Sequence, residues 1–251
     1  MNNKLIIMDA KQYKDQIRRA EFSAQMGISS FATEGYTQAI ETFENSIVCY
    51  EEVIARYGDT KDKKYQSEII KNLFFIIEAY EKLEQYEKAL EATNKAIEFT
   101  KDTNGETVFP KEKNELNDLL DKVTALDAKQ YKDQIRRAEF SAQMGISSFA
   151  TEGYTQAIET FENSIVCYEE VIARYGDTKD KKYQSEIIKN LFFIIEAYEK
   201  LEQYEKALEA TNKAIEFTKD TNGETVFPKE KNELNDLLDK VTALDANQMK
   251  K

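Results

Sequence analysis

Residues 11–57 read KQYKDQIRRAEFSAQMGISSFATEGYTQAIETFENSIVCYEEVIARY, and the spacing of apolar residues in this stretch sets the fold class. Apolar side chains fall at Tyr13, Ile17, Ala20, Ala24, Ile28 and Phe31. Steps of three and four place them on one stripe of an α-helix, whereas a strand would scatter them over both faces. Glu34-Gly35 interrupts the pattern, which resumes with Ala39, Ile40, Phe43, Ile47, Tyr50 and Ile54. Two stripes with a short break between them predict a helical hairpin, with helices over about 11–33 and 36–57.

The same logic extends outward. Gly58-Asp59-Thr60 predicts a turn and offers caps to a third helix over about 61–84. The run Leu73-Phe74-Phe75-Ile76-Ile77 has the composition of a strand, but its flanks keep the helical period, so it reads as a helix buried on several sides. A fourth helix is expected over about 86–101, ended by Asp102-Thr103-Asn104-Gly105 with Gly105 as a left-handed stop. Pro110 suits the first turn of a fifth.

The chain then repeats itself. Asp9 through Ala128 is identical to Asp127 through Ala246 at an offset of 118 residues, and the copies share the dipeptide Asp127-Ala128. Independent copies accumulate surface substitutions, because exposed positions tolerate change within about 0.5 kcal/mol. Perfect identity means a duplication either very recent or made by hand, and we read it as an engineered tandem. The expected modules are 1–126 and 127–251. Neither Gly nor Pro occurs between Lys111 and Gly145, so one helix over about 111–150 is expected to carry the seam. A kink near Asp127 is the competing reading. The stack as a whole is expected to be elongated or superhelical.

Composition narrows the function. Histidine is absent, which removes Ser-His-Asp and Cys-His catalysis, histidine metal sites and histidine pH switches. Cys49 and Cys167 are the same position in the two copies and read as buried structural thiols in an apolar run. The glutamates Glu78, Glu81, Glu84 and Glu87 alternate with Lys82 and Lys88, as on a solvated helix face rather than a metal or acid-base centre. No cofactor is expected. A net charge of −12 opposes nucleic-acid phosphates, and the sequence shows no basic stripe to overcome it. Leu5-Ile6-Ile7-Met8 is too short for a membrane span or a secretory core, so neither membrane nor export is expected and the location reads as cytoplasmic.

The hairpins resemble tetratricopeptide repeats. The first has Met26-Gly27 where the family has Leu-Gly, then Tyr36, Ala39, Phe43 and Ser46 at the family spacing. The second has Leu73, Ile76 and Tyr80, then Tyr86, Ala89 and Ala96. Gly27, Ala39 and Ala89 would let helices approach closely while the aromatic residues fill the space beside them. Ser30, Ile77 and Thr93 depart from the pattern, and the two motifs start about 50 residues apart rather than the family's 34. The resemblance implies an all-α array of helical hairpins, two identical modules joined through a continuous helix.

It also implies a non-enzymatic scaffold that binds a protein or peptide, as a helix or an extended segment, on the face made by the first helix of each hairpin. The matching positions are Glu21, Ala24, Ile28 and Phe31, then Lys71, Phe74, Glu78 and Lys82. Their copies are Glu139, Ala142, Ile146 and Phe149, then Lys189, Phe192, Glu196 and Lys200. One subset of the family clamps a terminal carboxylate with Lys and Asn at the places held here by Ala24 and Ile28, so that clamp is not expected. Ile28, Phe31 and Phe74 fit either a groove or ordinary core contacts. A second reading is a tandem without soluble ligand that self-associates.

Overall fold

The computed structural model describes residues 10–57, 63–102, 104–175, 181–220 and 222–249. The helices are α1 Ala10–Ala32, α2 Tyr36–Tyr57, α3 Lys64–Lys82, α4 Tyr86–Phe99, α5 Pro110–Ala150, α6 Tyr154–Tyr175, α7 Lys182–Lys200, α8 Tyr204–Phe217 and α9 Pro228–Gln248. The fold is all-α. Among the described residues the only extended pairings are two single bridges, Lys101 with Thr107 and Lys219 with Thr225. The chain divides into two compact units, Met1–Ala128 and Lys129–Lys251, and α5 is one helical segment of 41 residues passing through Asp127.

Both hairpin turns of the first unit have one geometry. Glu34 and Glu84 take left-handed backbone at φ 59° and 55°, and the next residue, Gly35 or Gln85, donates its N–H to the carbonyl of Ser30 or Tyr80 at 2.9 Å. That bond closes an otherwise open helix end. The left-handed residue is thus the glutamate, not the glycine. Gly35 has another reason to be small, since a Cβ there would lie 3.2 Å from the Ser30 carbonyl oxygen.

The first unit's core draws on α1 to α4 and the first part of α5: Ala20, Phe43, Ile47, Ile69, Ile77, Ala89, Leu116 and Val123 are among its buried members. The second unit repeats this with α6 to α9 and the later part of α5, through Ala138, Phe161, Ile187, Ala207, Leu234 and Val241. The run Leu73 to Ile77 is helical, with Leu73, Ile76 and Ile77 buried and Phe74 and Phe75 half-buried against the core. Burial is the reason for its strand-like composition.

The close approach expected at Gly27 is present. A Cβ on Gly27 would sit 2.7 Å from the Phe43 ring, and one on Gly145 equally close to Phe161. A buried polar chain crosses three helices beside it. Asn72 donates to the Ser46 hydroxyl at 2.8 Å, and Ser46 donates to the Ala20 carbonyl at 2.8 Å. Asn190, Ser164 and Ala138 repeat it.

Three helix ends differ from expectation. The third helix ends at Lys82 rather than Glu84, because Glu84 turns left-handed. Its start is Lys64, preceded by left-handed Lys63; Gly58, Asp59 and Thr60, expected as turn and caps, lie outside the described residues. The fourth helix stops at Phe99, two residues early, because the Thr100 carbonyl accepts N–H bonds from Val108 and Phe109 returning from the loop. Gly105 is left-handed at φ 81°, but inside that loop, where Asp102 Oδ1 accepts the N–H groups of Asn104 and Glu106.

Candidate functional site

In the second unit, α7 and α9 leave a cleft of about 730 Å³ between them. Its apolar wall is Phe192, Phe193 and Leu237. Around it stand four carboxylates, Glu196, Glu199, Glu233 and Asp236, against two ammonium groups, Lys200 and Lys240. Successive positions three and four apart on each helix bring these side chains onto one face.

Glu199 is the most enclosed charged group there, with 14% of its side chain exposed. One carboxylate oxygen accepts from Lys240 Nζ at 2.6 Å, and the other is buried without a hydrogen-bond partner. In the first unit Lys122 pairs with Glu81 at the same 2.6 Å, and Glu81 Oε1 is likewise buried and unpartnered. A buried acceptor left open carries a desolvation cost of about 1–3 kcal/mol, which an incoming donor relieves.

Phe192, Glu196 and Lys200, three of the positions implied by the resemblance, line this cleft together. Lys189 lies outside it and pairs with Glu186 at 2.7 Å, as Lys71 pairs with Glu68 at 2.8 Å. In the first unit Phe74 is half-buried against the core, and Glu78 and Lys82 are exposed. On α1, Glu21 and Ile28 are exposed and Ala24 is half-buried; Glu139, Ile146 and Ala142 repeat this on α5. Phe31 is committed to packing, edge-on to Tyr36 at 5.3 Å and to Phe75 at 5.6 Å, and Phe149 does the same with Tyr154 and Phe193.

Phe193, Glu199, Asp236, Leu237 and Lys240 are not among the positions the resemblance marks. The Lys240–Glu199 pair spans 41 residues, a separation that helical periodicity cannot register.

A second cleft, of about 560 Å³, lies between α6 and α8 over the α7 residues Leu191 and Ile194. Its twin between α2 and α4 measures about 540 Å³. Tyr198 and Tyr80 stand in these clefts, and burial, then nearby glutamates, pushes their phenols above the usual tyrosine range. Burial also leads the rise of Tyr50 and Tyr168 to about 12, with Glu68 and Glu186 respectively adding to it. The thiols Cys49 and Cys167, expected to be buried, are half-buried, because their apolar run is covered on one side only. Even so, burial raises both thiols, which disfavours the thiolate a nucleophile needs.

Among the described residues no group of three or more His, Cys, Asp or Glu is placed to hold a metal ion, and no helix is long and apolar enough to cross a membrane.

No family model and no curated protein matches the sequence. Among solved structures, the chain is similar to a de novo designed helical repeat protein, at 14% identity and a TM-score of 0.31, covering 94% of this chain and 97% of the other. It is also similar to the TPR2AB domain of yeast Sti1 in its pHSP90 complex, at 14% identity and a TM-score of 0.21, covering 89% of this chain and 98% of that one.

Proposed function

We propose that each module is a non-enzymatic scaffold for protein–protein interaction, and that the full chain is an engineered tandem of it. The binding face is the one made by the first helix of each hairpin, and its centre in the second module is the α7–α9 cleft. The observation that carries the reading is the combination found there: an apolar wall of Phe192, Phe193 and Leu237, and a buried Glu199 oxygen with no partner. An apolar anchor with few, well-placed polar groups is the chemistry of a groove that takes a helix or an extended segment. Perfect identity of the copies supports the engineered origin, and any natural activity then belongs to one module, divided near residues 126 and 127.

The test is a selection of binders from a displayed peptide library on the full chain, followed by affinity measurements on variants. Phe74→Ser with Phe192→Ser is expected to weaken selected peptides about tenfold or more, with helicity retained by circular dichroism. Phe31 and Phe149 are left intact, because their rings hold the hairpin turns. Unchanged affinity in a folded variant would remove the binding face from this cleft.

A further inference from the structure

The side of α1 that points away from its own core is apolar and basic. Phe22 is 69% exposed and Met26 45%, one turn apart, and Arg18 and Arg19 occupy the turn before them. The second module repeats this on α5, with Phe140 at 68%, Met144 at 42%, and Arg136 and Arg137. An aromatic ring this exposed beside a second large apolar residue marks a contact surface more often than a lone exposed leucine does. Arg18 reaches Asp15 only at 3.9 Å with both side chains largely in water, and Arg19 makes no ion pair among the described residues. Arg136 pairs with Asp133 at 3.6 Å across an exposed face, an ion pair worth little in water, and Arg137 makes no ion pair among the described residues. In a chain of net charge −12 this is a local inversion of sign.

The stripe and the α7–α9 cleft are complementary. One offers two guanidinium groups and a protruding phenyl ring. The other offers an excess of carboxylates, a buried open acceptor on Glu199 and an apolar wall. We propose that the cleft's partner is a second copy of this chain, docked through the exposed stripe of α1 or its repeat on α5. Phe22 or Phe140 enters against Phe192 and Leu237, and an arginine supplies the donor that Glu199 lacks. The inference rests on the cleft being a binding face. It matches two different surfaces, so the contact is heterologous rather than one self-complementary patch.

Sedimentation velocity of the full chain over a concentration series tests this. The mass is expected to rise above that of the monomer with concentration. Phe22→Glu with Phe140→Glu removes the stripe. Glu196→Lys and Glu233→Lys, with Glu78→Lys and Glu115→Lys at the same positions of the first module, invert the charge of the acceptor face. Each variant alone is expected to associate about tenfold or more weakly than the wild type, and mixing the two is expected to restore complexes. Arg19→Glu with Arg137→Glu is a second stripe variant that leaves every apolar contact in place. A wild-type chain that stays monomeric throughout overturns self-docking, and if selected peptides still bind the cleft, the scaffold reading survives it. A cleft variant that still associates like wild type also overturns it, because the stripe then pairs with itself.

Discussion

A methyl group on residue 27 would lie 2.7 Å from the Phe43 ring, and that ring is stacked on Phe75 with centroids 5.0 Å apart. The ring therefore has nowhere to retreat. Gly27→Ala would gain about 1 kcal/mol of helix propensity and lose about 1–3 kcal/mol to overpacking. The second effect wins because Phe43 is fully buried. Gly27→Ala with Gly145→Ala is expected to lower stability by up to about 2 kcal/mol per module in urea unfolding. An unchanged or raised midpoint would show that the ring moves freely. This glycine was legible in the sequence, because the tetratricopeptide resemblance marks a small residue there. The left-handed Glu34 and Glu84 were not, because nothing in a glutamate announces positive φ.

Among the elements, the hairpins are pinned by more than apolar stripes. Ser46 on α2 bridges the Ala20 carbonyl on α1 and the Asn72 amide on α3, all buried. Ser46→Ala would strand the Asn72 amide without an acceptor, at a cost of about 1–3 kcal/mol. Ser46→Ala combined with Asn72→Leu removes both polar ends and is expected to recover part of that loss. Denaturant melts of the single and double variants measure the coupling; simple additivity would mean the bridge is energetically idle. The helices themselves were readable from spacing. Their ends were less so: α4 stops early because Thr100 is claimed by Val108 and Phe109, a contact made only after the loop folds back.

Across the molecule, each unit contains its own buried core. A core complete within one unit should not need its duplicate. Residues 1–128 expressed alone are expected to give a cooperative thermal transition with most of the helicity per residue of the full chain. A molten or unfolded half would show that the units depend on each other. The candidate cleft is likewise a product of distant segments. Phe192, Glu196 and Lys200 follow from a resemblance in α7, whereas α9 supplies Leu237, Asp236 and Lys240 from farther along the chain.

The all-α class, the hairpin pairing, the duplication and the helix that carries the seam can all be read from the bare chain. They follow from periods of three and four, from the scarcity of Gly and Pro, and from identity between copies, all of which are local or directly countable. Which aromatic residues are spent on packing emerges only once the helices assemble. Assembly makes Phe31 a brace against Tyr36 and Phe75 and leaves Phe22 and Met26 bare. It also joins Glu199 to Lys240 with one oxygen left over. The reason is physical: helical periodicity states which side of a helix is apolar, but which neighbour covers that side, and what it leaves uncovered, depends on helices distant in the chain.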